Sequence, residues 1–150
     1  VNQPLFIAPP TFASAVGRAW FFDSTATVVC QTLVSEMNAE AARFQTVRFD
    51  EALKARYVVH GRKVRSVLDW RACSKYTVEA RDLLLQWGRE AHGHTADSVI
   101  AISPTASPFF NIALHTGAMV MRGLRLKLQV VEDLGPLVKQ LSAEAPVPPL

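Results

Sequence analysis

Two runs constrain the fold of this chain more than any other feature: VRSVLDW at 64–70 and DSVIAIS at 97–103. Both are short and rich in β-branched residues, and the second is almost continuously apolar, as expected of a strand covered on both faces. Between them lies a helical pattern, about 77–92, in which Ala80, Leu84, Trp87 and Ala91 recur at helical spacing. Strands separated by a helix cannot pair as a hairpin, so the two runs are expected to lie parallel in one sheet, joined by a right-handed crossover.

The remaining elements follow from the same signals. RAWFFD (18–23) and TVVCQTL (27–33) flank the turn cluster Asp23-Ser24-Thr25 and read as an opening hairpin. Residues 38–60 carry Asn38 as N-cap, Glu40 in the first turn, His60 in the last and Gly61 just beyond, which suits one long helix. The apolar phase slips between Phe44 and Phe49, so two elements are an alternative there. Ser107-Pro108 opens another helix, ended by Arg122-Gly123; LKLQVV is a last strand, and 133–141 a last short helix with Asp133 near its start. The expectation is a single α/β domain with a mostly parallel mixed β-sheet of about five strands and about four helices, in the order β-β-α-β-α-β-α-β-α. Residues 1–17 are expected to be a flexible arm and the Pro-rich 142–150 a disordered tail, leaving 18–141 as the folded unit.

Composition excludes several classes. A chain of 150 residues, 49% hydrophobic, is one domain with enough apolar surface for a core. Its net charge of +3 is spread along the chain, unlike the dense basic stripe of nucleic-acid binders. Cys30 and Cys73 are far apart and without ligand spacing, which fits a reducing compartment and no zinc site or disulfide framework. Ala13-Ser14-Ala15 imitates a signal cleavage site, but no basic leader precedes it and Pro9-Pro10 interrupts the short apolar run before it, so a cytoplasmic location is expected. Residues 103–121 contain no formal charge, yet their two prolines, Asn111, His115 and hydroxyls make a poor membrane span.

The order of elements, with SVLDW, KYTVEARDLLLQW, SVIAIS and LKLQVVEDLGPLVKQL, resembles the STAS-like domains, the fold of anti-sigma-factor antagonists of the SpoIIAA type. The resemblance covers roughly 18–141 and rests on pattern and element order. It implies a non-enzymatic bacterial regulatory module that binds another protein, a kinase or regulator among the candidates, without a cofactor. In the phosphorylation-switched antagonists a serine in an Asp-Ser-Ser-Gly-type turn opens the second helix. Here the region reads Tyr76-Thr77-Val78-Glu79-Ala80-Arg81, with neither a serine pair nor a glycine. Thr77 and Ser74 are the nearest hydroxyls, so they are the candidate phosphate acceptors.

Each candidate residue also has a plainer role. Phosphate on Thr77 would place roughly two negative charges at a helix N-terminus, which the dipole favours and Glu79 opposes. As a simple N-cap the same residue contributes about 1 kcal/mol, and the residues favour that reading. Asp69 ends a parallel strand where ligands commonly bind, but no second carboxylate or histidine lies nearby in sequence, so ordering the loop backbone is the better reading. His92 and His94 lack a third metal ligand. Arg62, Lys63 and Arg65 suit an acidic partner, or simply the C-terminal end of a helix.

In the 107–122 helix, Phe109 and Ile112 lie on one face and Phe110, Leu114 and Met121 on another. A helix apolar on both faces is buried in core or covered by a partner or a second copy. The partner-binding set expected is therefore Asp69, Tyr76, Thr77, Ser107, Phe109, Phe110 and Met121, with no nucleic acid and no membrane span. A small-molecule or lipid-binding domain, in which the apolar helix lines a pocket, is the alternative; Gly-rich phosphate loops, GxSxG elbows and carboxylate pairs are missing from the sequence, which argues against an enzyme.

Overall fold

A computed structural model of the chain describes residues 3–91, 93–105, 115, 117–119, 122–123 and 127–150. Strands β1 (Phe12–Ala13), β2 (Gly17–Phe22), β3 (Thr27–Thr32), β5 (Val64–Asp69), β7 (Thr95–Ala101) and β8 (Lys127–Val131) form a six-stranded sheet in the order β1-β2-β3-β5-β7-β8. β1, β2 and β3 are antiparallel neighbours, whereas β3, β5, β7 and β8 run parallel. The five expected strands are all in it. The sixth, β1, comes from the segment expected to be a free arm.

The 38–60 region resolves the slip in its apolar phase without breaking. Asn38 caps α1 (Ala39–Arg43), its Oδ1 accepting from Ala41 N at 3.0 Å. A π-helical segment follows at Phe44–Phe49, then α2 (Asp50–Arg56) and a short 3₁₀ turn at Val58–His60. Five residues separate Phe44 from Phe49, a spacing that would point them to different sides of an α-helix. The wider i→i+5 turn returns both to the sheet, where they are 7% and 0% exposed. Gly61 ends the run at φ +74°, the left-handed conformation that glycine adopts without strain.

Side-chain alternation along the strands sorts the core into two layers. One face, with Phe21, Val28, Cys30, Leu68 and Ile100, lies under Phe44, Phe49, Leu53 and Tyr57, and α3 (Val78–Ala91) adds Ala80, Leu84 and Trp87. The other face, with Trp20, Phe22, Val29, Val67 and Val99, lies under Leu134 and Leu141 of the last helix, α4 (Gly135–Leu141), and its lead-in. Asp133 sits before α4 as expected, its Oδ1 accepting from Gly135 N at 2.8 Å.

Both chain ends depart from expectation. Phe6 lies against Trp20 and Phe22, with ring centroids 5.3 and 5.0 Å apart, and Trp20 Nε1 donates to Ala8 O at 3.0 Å. Val147 is buried; its N–H donates to Phe21 O at 2.8 Å, and the Thr11 hydroxyl donates to Val147 O at 2.8 Å. The physical reason is the β2 edge. β1 covers it only opposite Arg18 and Ala19, so the outward backbone groups of Phe21 need partners. Thr11 supplies one, accepting from Phe21 N at 3.1 Å, and the tail supplies the other. Prolines suit such an edge because they need not donate. The folded unit therefore extends beyond 18–141 at both ends.

Of the helix expected at 107–122, the described residues His115, Gly117–Met119 and Arg122 are helical, as is Gly123 just past it. A Cβ on Gly117 would stand 3.7 Å from Leu85 Cδ2, which places this segment beside α3. Ser107, Phe109, Phe110 and Met121 lie outside the described residues.

Candidate functional site

The loop after β5 begins at the carboxyl end of the parallel sheet and is tied down residue by residue. Asp69, 3% exposed, accepts from Arg71 N at 3.1 Å, while Arg71 Nε and Nη2 donate to its two oxygens at 2.9 and 3.0 Å. Both carboxylate oxygens are thus engaged by a guanidinium, which orders the loop and leaves Asp69 poorly placed as a general base. Trp70 continues into the core, its indole N–H donating to Gln45 Oε1 at 2.8 Å. The π-helical segment that buries Gln45 therefore also anchors the start of this loop.

A second sheet crosses the loop. β4 (Glu36–Met37) pairs in parallel with β6 (Lys75–Tyr76), so the chain leaving β3 and the chain leaving β5 are joined. Ser74 N donates to Ser35 O at 2.8 Å, Thr77 N to Met37 O at 3.0 Å, and the Cys73 thiol to Val34 O at 3.2 Å. Burial and the negative charge of Asp69 push the Cys73 thiol up to about 12, so the free thiol stays protonated at neutral pH. Burial pushes Cys30 up further still.

Thr77 caps α3: its Oγ1 accepts from Ala80 N at 3.1 Å. Glu79, in the first turn, meets Arg43 of α1 at 2.7 Å across the helix pair. The result is a firmly held ridge. Ser74 and Lys75 are exposed, Tyr76 and Thr77 half-buried, and Val78 is 62% exposed, an apolar side chain standing in solvent at the head of a helix.

The sequence-expected residues divide accordingly. Asp69, Ser74, Tyr76 and Thr77 come together at this junction, whereas Ser107, Phe109, Phe110 and Met121 fall outside the described residues. The basic cluster is not one patch: Arg62 turns to the carbonyls of Asp23 and Ser24, and Arg65 pairs with Asp97 of β7 at 3.3 Å. His92 is outside the described residues, and His94 Nε2 lies 3.7 Å from Asp50 Oδ1, where Trp87 Nε1 also donates at 2.9 Å. What sequence reasoning missed is the partner half of the junction, 34–37, because a two-residue strand leaves no periodic trace.

No protein-family model matches the chain, and no curated protein does. Among solved structures it is similar to an uncharacterised protein of the DUF3478 family from Shewanella loihica PV-4, described as having a SpoIIAA-like fold, with a TM-score of 0.55 and 11% identity over 87% of this chain and 98% of that one. No described helix is long and apolar enough to cross a membrane. The strand order, the helices on both faces and this likeness establish an α/β domain with a SpoIIAA-like fold.

Proposed function

We propose that this domain is a non-enzymatic regulatory module that docks another protein through the junction 69–81 and the 107–122 segment. The observation that carries the reading is the β4–β6 ribbon. It fixes the backbone of Ser74–Thr77 from one side while Ser74, Lys75 and Val78 stand exposed. A preorganised surface loses little conformational freedom on binding, and an exposed valine offers apolar surface for a partner to cover. The engagement of Asp69 by Arg71 and the protonated state of Cys73 support a binding role over a catalytic one. Regulation would act through this ridge, since a phosphate on Thr77 would place roughly two negative charges beside the cap that Ala80 N now uses and close to Glu79.

The test is affinity capture from the source cell, comparing wild type with Val78→Asp and, as a distant control, Val59→Asp; Val59 is 70% exposed on the 3₁₀ turn. The proposal expects one protein to be retained by wild type and Val59→Asp and lost with Val78→Asp. Identical retention by all three would overturn it.

A further inference from the structure

The segment ahead of β1 is held to the sheet in a different way from the residue that follows it. Thr11 is tied three times: its N–H donates to Ala19 O at 2.7 Å, and its hydroxyl accepts from Phe21 N at 3.1 Å and donates to Val147 O at 2.8 Å. Before it, residues 3–10 make no backbone–backbone hydrogen bond among the described residues, and Pro4, Pro9 and Pro10 have no N–H to give. We propose that residues 3–8 form a strap that lifts as a unit ahead of Pro9-Pro10 and bares Trp20 and Phe22 while the rest of the domain stays folded.

The strap is held by side chains alone. Phe6 is its one buried side chain, packed on Trp20 and Phe22, while Leu5 is half-buried and Ile7 stands wholly in solvent. Two polar ties complete the set: Trp20 Nε1 donates to Ala8 O at 3.0 Å, and Gln31 Nε2 donates to Gln3 O at 2.8 Å. Lifting the strap breaks these contacts and leaves the pairing of β2 with β3 untouched. A segment with a single buried anchor and no backbone ladder opens at a free energy well below that of global unfolding. Closure also carries an opposing cost. The same Gln31 amide is 3% exposed, and its Oε1 has no hydrogen-bond partner among the described residues. A buried acceptor left unpaired pays for its lost hydration, which water restores when the strap opens. Gln31 is the β3 partner of Asp69, so opening uncovers the sheet from Phe22 to the strand beside the start of the 69–81 junction.

The test follows hydrogen exchange of the Trp20 indole N–H in the full ¹⁵N-labelled chain, in low urea, beside the backbone amides of Val29 and Val67 in the central strands. That indole is buried and its acceptor is on the strap, so it exchanges only when the strap moves. Its protection factor is expected to be at least ~100-fold lower than those of the two amides and flat with urea, whereas theirs fall as urea rises. Phe6→Asp, which cannot close over Trp20 and Phe22, is expected to remain cooperatively folded with the indole unprotected and Val29 and Val67 still slow. An indole with the protection and urea slope of those amides would overturn the proposal. So would a Phe6→Asp variant that is unfolded, or one that is folded with its indole still protected.

Discussion

Asp69 and Arg71, two residues apart, make three hydrogen bonds to one another, one through the backbone N–H and two through the guanidinium. The carboxylate is buried and the arginine side chain is 34% exposed, so solvent can rehydrate only the arginine if the pair is broken. Asp69→Asn keeps the shape and removes the charge; it is expected to destabilise the domain by about 1–3 kcal/mol. A urea midpoint equal to that of wild type would show that the pair orders nothing.

Thr77 makes a separable contribution. Thr77→Ala removes the acceptor that satisfies Ala80 N and is expected to cost about 1 kcal/mol, while Thr77→Ser should remain within a few tenths. Equilibrium unfolding of the three proteins checks this. Equal loss in both variants would mean that the methyl group matters and the cap does not.

Gly17 is required by a close approach. A Cβ there would stand 2.5 Å from Phe44 Cδ1, and that ring is buried beside Phe12. Gly17→Ala is expected to cost about 1–3 kcal/mol by overpacking. Phe44→Leu frees the space, so the double variant should be destabilised by less than the sum of the single ones. Strict additivity in that cycle would refute the steric account.

The Asp23 cluster sets an acid dependence. Hydrogen bonding from Arg56 holds the Asp23 carboxyl below its ordinary value, with Tyr57 and Arg62 adding to the effect. A carboxyl lowered on folding contributes stability above its unfolded pKa, near 3.9, and that contribution is lost as pH falls through the lower folded value. The side chain is 51% exposed, so the contribution is small, under about 1 kcal/mol. Asp23→Asn should lower the thermal midpoint at pH 7, with the gap to wild type closing below about pH 4. A gap of constant size across that range would assign the loss to geometry rather than charge.

These residues also show what a sequence can disclose about such a domain. β5 and β7 are legible because burial on both faces leaves long apolar runs, and Asn38, Thr77 and Gly61 are legible because capping selects residue types at one position. The π-helical turn announces itself as a slipped phase between Phe44 and Phe49, but the phase alone does not say whether the helix widens or breaks. The docked ends are hidden, since the β2 edge that they satisfy is a tertiary feature and their prolines resemble those of free chain. Asp69 is legible as the end of a strand. The cross-ties of its loop to Val34 and Ser35 span 39 residues and carry no local signature.

The central claim, a docking surface at the head of α3, is tested most directly by amide hydrogen exchange of the domain alone and in complex with its captured partner. The account expects added protection at 74–81 and none at the 23–26 turn. Protection confined to that turn or to the β8 edge, with 74–81 unchanged, would contradict it.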